Sequence, residues 1–163
     1  IEQSVVMSDI GCYALGALPP YQAIESCVCM GASIGMAKGA ADAGLRPALA
    51  TVARRSPVPV ELNVHVPDRL PEPVEVGVYF IASEALANVI KHAQATQVHV
   101  DLDSDQATTT LLVRDDGVGG ADPNHGSGLI GLADRVHALG GAIRITSPTG
   151  SGTSIKATIP LGT

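Results

Sequence analysis

The chain has no tryptophan, one phenylalanine (Phe80) and three tyrosines among its 163 residues. Any sizeable core must therefore be packed from aliphatic side chains, and with 45% hydrophobic residues there are enough of them. Positive charge is scarce too. Ten Lys and Arg stand against sixteen Asp and Glu, for a net charge of −6. A nucleic-acid footprint needs a basic face, so no nucleic-acid partner is expected. An acidic protein that holds a polyphosphate must gather its few cations in one place. No apolar run reaches membrane-spanning length, with Lys38 interrupting the best candidate, so no membrane contact is expected. No basic stretch precedes an apolar core, so no signal peptide is expected either. The three cysteines are an odd number, and Cys27-x-Cys29 has no second pair to complete a metal tetrahedron. Reduced thiols in a cytoplasmic setting are the expectation.

What is present is unevenly spread. Cys12, Cys27, Cys29, Met7, Met30 and Met36 all precede residue 40, and neither type occurs later. This shift divides the chain into segments 1–43 and 44–163, meeting near the small residues 39–44. In the first segment Pro19-Pro20 interrupts any element. Residues 21–43 have helix-compatible spacing, weakened by Gly31, Gly35 and Gly39. That glycine row reads either as a face for close helix packing or as a poorly formed helix.

The second segment is strongly periodic. Residues 45–55 read as a short helix with a basic end, Arg54-Arg55, stopped by Pro57. Residues 58–66 alternate: Val58, Val60, Leu62, Val64 and Val66 share one face, and Glu61, Asn63 and His65 the other. Residues 71–93 form a long helix with Pro73 near its start and a wide apolar stripe. Strands follow at 97–103 and 108–114. A helix at 129–139 is closed by Gly140-Gly141. Strands at 142–146 and from about 154 complete the chain. Alternating strands leave one sheet face wet, so the helices pack on the other. The expected fold is an α/β two-layer sandwich, with a mixed, mostly antiparallel sheet and helices on one face.

Three stretches carry candidate chemistry. Residues 115–131 read Asp115-x-Gly117-x-Gly119, a polar loop, then Gly126-x-Gly128-x-x-Gly131. Glycines admit close ligand approach, and a helix start offers free N–H groups to phosphate. On the long helix, Glu84, Asn88, Lys91 and His92 fall on one face at α-helical spacing. For an ordinary amphipathic helix such a stripe is a solvated face. Asparagine costs helix propensity, however, and is a good hard oxygen ligand for Mg²⁺. The third stretch, Gly150-Ser151-Gly152-Thr153, is a simple turn when taken alone.

In this order and spacing the motifs resemble the ATP-binding catalytic domain of sensor histidine kinases, within the gyrase and heat-shock chaperone ATPase superfamily and its Bergerat-type fold. Lys91-His92-Ala93, Asp115-Asp116-Gly117-Val118-Gly119 and Gly131-Leu132-x-x-Arg135-Val136 look like the nitrate-sensor/desaturase-thermosensor branch. The resemblance implies ATP and Mg²⁺ as cofactors. Asn88 would bind the metal, and Glu84 would act as a base or polarise water near the γ-phosphate. Lys91 and His92 would meet phosphates. Asp115 would accept from the adenine amino group, with Thr153 beside it through a water. Gly117 and Gly119 would keep backbone clear of the base. Residues 120–127 with Gly126 would form a lid, and Gly128, Leu129 and Gly131 would present helix N–H groups to phosphate. Asp116 reads as a solvated turn residue. Arg135 reads equally as an ion-pair partner or a phosphate contact, and the role of His125 stays open. The implied partners are a histidine phosphoacceptor/dimerisation domain and a response regulator, with the parent kinase anchored in a membrane as one option. A nucleotide- or partner-binding module without turnover is the alternative.

The first histidine is His65, so no acceptor precedes the module in this chain. Instead, Ser8-Asp9-Ile10-Gly11-Cys12-Tyr13, then residues 15–20, then Cys29-Met30-Gly31-Ala32-Ser33-Ile34-Gly35 resemble a fragment of the thiamine-diphosphate domain of indolepyruvate ferredoxin oxidoreductase. That likeness ends before the family's diphosphate motif. The chain therefore reads as a chimera, without thiamine chemistry of its own.

Overall fold

The computed structural model describes residues 44–67, 69–122 and 127–162. The segment 1–43, with its cysteines and glycine row, lies outside the described residues, as do His125 and Gly126. The elements are α1 (Leu45–Arg55), β1 (Val60–His65), α2 (Glu72–Asn88) running into a π turn (Val89–Ala93), β2 (Val98–Ser104), β3 (Thr108–Asp115), α3 (Ser127–Ala138), β4 (Ala142–Thr146) and β5 (Ser154–Pro160).

The strands form one mixed sheet in the order β1-β2-β3-β5-β4. Only β1 and β2 run parallel. Register places Leu62, Val100, Val113, Ile155 and Ile145 side by side, and next to them Val64, Leu102, Leu111, Ala157 and Ile143. These rows face the helices and supply much of the core. The opposite rows are polar: Glu61 lies beside His99, Arg114, Ser154 and Thr146. There His99 pairs with Glu61 at 3.2 Å and Arg114 with Asp101 at 3.6 Å. This is the expected two-layer sandwich, with one face covered and one wet.

α2 is the central helix. Pro71 and Pro73 preset its first turn, and Glu72 and Glu75 complement the dipole there. Val78, Ile81, Ala82, Ala85 and Leu86 are all buried, between the sheet and the flanking helices α1 and α3. The 22 residues Glu72–Ala93 are long and apolar enough to cross a membrane, by length and composition. This corrects the expectation that no such run exists. The apolarity has a local cause here: a helix in contact with a sheet and two other helices is hydrophobic nearly all round.

One buried charge anchors the start of this helix. Glu75 is 1% exposed. It accepts from Arg69 Nε and Nη2 at 3.2 Å each, and from the Leu70 N–H at 3.0 Å. Arg69→Ala should strand this carboxylate. The expected cost is about 2–4 kcal/mol, somewhat below a fully buried pair because Arg69 is half exposed. Urea unfolding of Arg69→Ala and of the double variant Arg69→Ala/Glu75→Gln checks this. The second change should recover part of the loss.

Candidate nucleotide site

The site grows from the alternation of β3. Thr109, Leu111 and Val113 face the helices, and Asp115 continues that row, opposite Val98. A carboxylate on an otherwise apolar face must be hydrogen-bonded or costs several kcal/mol, roughly. Asp115 Oδ1 accepts the Gly117 N–H at 2.9 Å and the Thr153 N–H at 3.2 Å. Oδ2 takes no hydrogen bond among the described residues. Asp115 thus spends one oxygen on the fold and keeps the other for the cavity beside it.

That cavity, of about 540 Å³, opens between α2 and the sheet. The volume suits a nucleotide-sized ligand. Val89, Ala93, Val113 and Ile155 make its apolar wall, next to Asp115 and Thr153. Glu84, Asn88, Lys91 and His92 line the other side, together with Gly119, Gly128 and Leu129. Sequence motifs 69 residues apart (84 to 153) are therefore brought to one place.

Gly128 closes onto the polar stripe. A Cβ there would lie 3.2 Å from Glu84 Oε1 and 3.4 Å from Asn88 Oδ1. Asn88 Nδ2 is buried with no hydrogen-bond partner among the described residues. An orphaned buried amide costs about 1–3 kcal/mol. Half a turn about its last bond exchanges its oxygen and nitrogen, so Asn88 is able to present a hard oxygen here.

The helix differs from the expected one in a way that matters. α2 stops at Asn88, and Val89–Ala93 form a π turn ending at Gln94, which has φ 51° and ψ 35°. A π turn closes i→i+5 rather than i→i+4, so each residue advances less around the axis. Lys91 and His92 therefore stand at different angles from those that 3.6 residues per turn would give. Both still line the cavity.

Several expectations change. Gly117 is not among the cavity-lining residues; a Cβ there would strike the Ala93 carbonyl. Gly119 has φ +61°, and a Cβ there would meet the Pro148 and Gly152 carbonyls. The chain's own backbone already accounts for glycine at both positions, and Gly119 also lines the cavity. Gly131 does not line the cavity, and a Cβ there would meet nothing within 4 Å. Asp116 is exposed but not merely solvated: it accepts the Thr96 and Gln97 N–H groups at 2.8 and 3.0 Å and the Thr96 hydroxyl at 2.5 Å. Arg135 makes no ion pair among the described residues and is not among those lining the cavity. Its guanidinium lies over the Phe80 ring, 4.6 Å from the centroid, joining α3 to α2 by a cation–π contact.

Sequence reasoning passed over Ser147. Its hydroxyl bonds to Thr153 Oγ1 at 2.8 Å and accepts the Ala121 N–H at 3.0 Å, while its carbonyl accepts the Gly120 N–H at 3.0 Å. Ser147 therefore ties the loop after Gly119 to the last turn. The only sequence signal was a serine before the Pro148–Gly150 turn. The apolar wall was also missed as a site, because its members read simply as core.

Fold and site together define a nucleotide-binding ATPase-type domain. Residues 74–163 match the family of histidine kinase-, DNA gyrase B- and HSP90-like ATPases, and the chain belongs to that family. It is an ATP-binding module of the sensor histidine kinase kind. It is 36% identical over 99 residues to the signal transduction histidine-protein kinase/phosphatase DegS of Brevibacillus brevis, covering 59% of this chain and 26% of that protein. It is 34% identical over 124 residues to the nitrate/nitrite sensor protein NarX of Escherichia coli (strain K12), covering 71% of this chain and 21% of that protein. The chain thus spans about a quarter or less of these relatives. Among solved structures, the histidine kinase domain from the Erythrobacter litoralis EL346 blue-light activated histidine kinase superposes with a TM-score of 0.57 at 25% identity. That match covers 72% of this chain and 59% of that one. The likeness of the first segment to a thiamine enzyme is not borne out. The family match begins at residue 74, and the relatives are histidine kinases.

Proposed function

We propose that residues 44–163 form the phosphoryl-donor module of a two-component sensor kinase, with residues 1–43 a separate segment. The module binds ATP with Mg²⁺ and presents the γ-phosphate to a histidine on a dimerisation domain, from which a response regulator receives it. ATP as the donor puts the module on the cytoplasmic side. The observation that carries this reading is the convergence of Asp115, Thr153, Glu84, Asn88 and Gly128 on one cavity.

The residues present fit the cofactors. The free Oδ2 of Asp115 accepts an adenine amino group, and the apolar wall of Val113 and Ile155 packs against the ring. The orphaned Asn88 amide is the metal-ligand candidate. Bound magnesium would screen the phosphate charge. Lys91 and His92 supply donors at the phosphate end, and Glu84 stands where a carboxylate can orient the incoming imidazole or take its proton. Phosphoryl transfer needs mainly such positioning and charge stabilisation.

The test is transfer from γ-labelled ATP, by the full chain, to a separately prepared dimerisation domain carrying its acceptor histidine. The wild type should label the acceptor. Glu84→Gln should slow labelling by about 100-fold with little change in ATP affinity. An acceptor left unlabelled by a wild type that binds ATP would reduce the module to nucleotide binding.

A further inference from the structure

Two neighbouring carboxylates leave the end of β3 in opposite directions. Asp115 faces the cavity. Asp116 faces the segment that follows the π turn. Its Oδ1 accepts the N–H groups of Thr96 and Gln97, at 2.8 and 3.0 Å, and its Oδ2 takes the Thr96 hydroxyl at 2.5 Å. Two backbone bonds run alongside: Val118 N–H to Ala93 O at 2.8 Å, and Asp116 N–H to Gln97 O at 3.4 Å.

These bonds land just past two uncommon conformations. A π turn is rare in an otherwise α-helical run. Gln94 is the one non-glycine residue at positive φ among the described residues, and such a conformation persists only where the surroundings hold it. Register does not require the carboxylate, because β2 and β3 already pair over seven positions. What the carboxylate does hold is the path by which the chain leaves Lys91 and His92.

We infer that Asp116 is a positioning residue, whose carboxylate staples the exit of the π turn and so aims Lys91 and His92 into the cavity. The inference rests on reading the cavity as an ATP site, and it assigns Asp116 to the phosphate end alone. Asp115 and Asp116 then divide the nucleotide between them: one side chain meets the base, and its neighbour sets the groups that meet the phosphates. The Thr96 hydroxyl and the Gln97 and Thr96 N–H groups hold the Asp116 carboxyl down to about 2. A depressed carboxyl contributes fully above its ordinary pKa of about 4 and is lost only as pH falls through its folded value. The staple is therefore intact at any physiological pH.

The experiment is calorimetric titration of the full chain with ADP and, separately, adenosine, in the presence of Mg²⁺. Wild type, Asp116→Ala and Asp116→Asn are compared. Asp116→Ala should weaken ADP binding by about tenfold and change adenosine binding by less than about twofold. Unchanged adenosine binding also shows that the variant is folded. Asp116→Asn should restore most of the ADP affinity, since its amide oxygen still accepts both N–H groups. Equal weakening of ADP and adenosine, or no weakening of ADP, overturns the inference. If the wild type binds neither compound, the ATP-site reading fails, and the positioning role falls with it.

Discussion

Asp115→Asn should leave the domain folded and lower ATP affinity by about 10- to 100-fold, the range for losing one hydrogen bond to a charged group. The two oxygens of the carboxylate are used differently. Oδ1 is committed to the Gly117 and Thr153 N–H groups, and an amide oxygen serves them equally well. The loop therefore stays in place. The Oδ2 position, however, becomes an NH₂ group facing the amino group of adenine, donor against donor. A keto oxygen at that point of the base would now be the better match, so the preference for ATP over GTP should collapse. Calorimetry with both nucleotides reads the affinities, and thermal unfolding reads the fold. Unchanged ATP affinity in a folded variant would remove Asp115 as the adenine anchor.

Gly152→Ala should be damaging in a different way. Gly152 has φ +69°, and a Cβ there would run into the Asp115 carbonyl and lie 3.2 Å from Asp116 Cα. Its N–H also donates to the Gly117 carbonyl at 2.8 Å. The left-handed conformation alone costs a non-glycine residue about 1–2 kcal/mol. The collision is with backbone, which cannot swing aside as a side chain can. We expect a total of about 2–4 kcal/mol, a Tm lower by roughly 10 °C, and weaker ATP binding because the end of β3 is displaced. Gly150→Ala is the internal control. Gly150 has φ +78° but nothing within 4 Å of its Cβ position. It should pay the conformational cost only, about 1–2 kcal/mol, and leave ATP affinity unchanged. Equal effects of the two substitutions in thermal unfolding would show that the close approach to Asp115 is not what requires glycine.

Much of this architecture was legible because strand alternation is a local signal. Val60, Leu62 and Val64 declared their face without help from the rest of the chain. The expected strand at 58–66 came out shorter, as Val60–His65, where the pairing with β2 begins and ends. Strand order was not legible. Placing β5 between β3 and β4 depends on which edges meet, and that is decided by register across the whole sheet.

The site shows the same division. A carboxylate, an asparagine and glycines in apolar surroundings stood out as locally costly choices, and the resemblance to the kinase family joined them into one site. What spacing could not show was the local geometry. The π turn arises at a helix end held by Val118 and Asp116, which lie more than twenty residues downstream. Nothing in Val89-Ile90-Lys91-His92-Ala93 alone marks it. The stacking of Arg135 on Phe80 likewise depends on where two helices cross. Gly131 was grouped with the phosphate-binding glycines by the resemblance, yet it is not among the residues lining the cavity.

The central claim is that one cavity, between α2 and the covered face of the sheet, takes ATP. Amide chemical-shift mapping of the full chain by NMR, with ADP and Mg²⁺ added, tests it most directly. The account expects the largest shifts at Asn88, Lys91, His92, Gly119, Gly128 and Thr153, with Glu61, His99 and Arg114 on the wet face unmoved. Shifts confined to the wet face, or none at millimolar ADP, would contradict it.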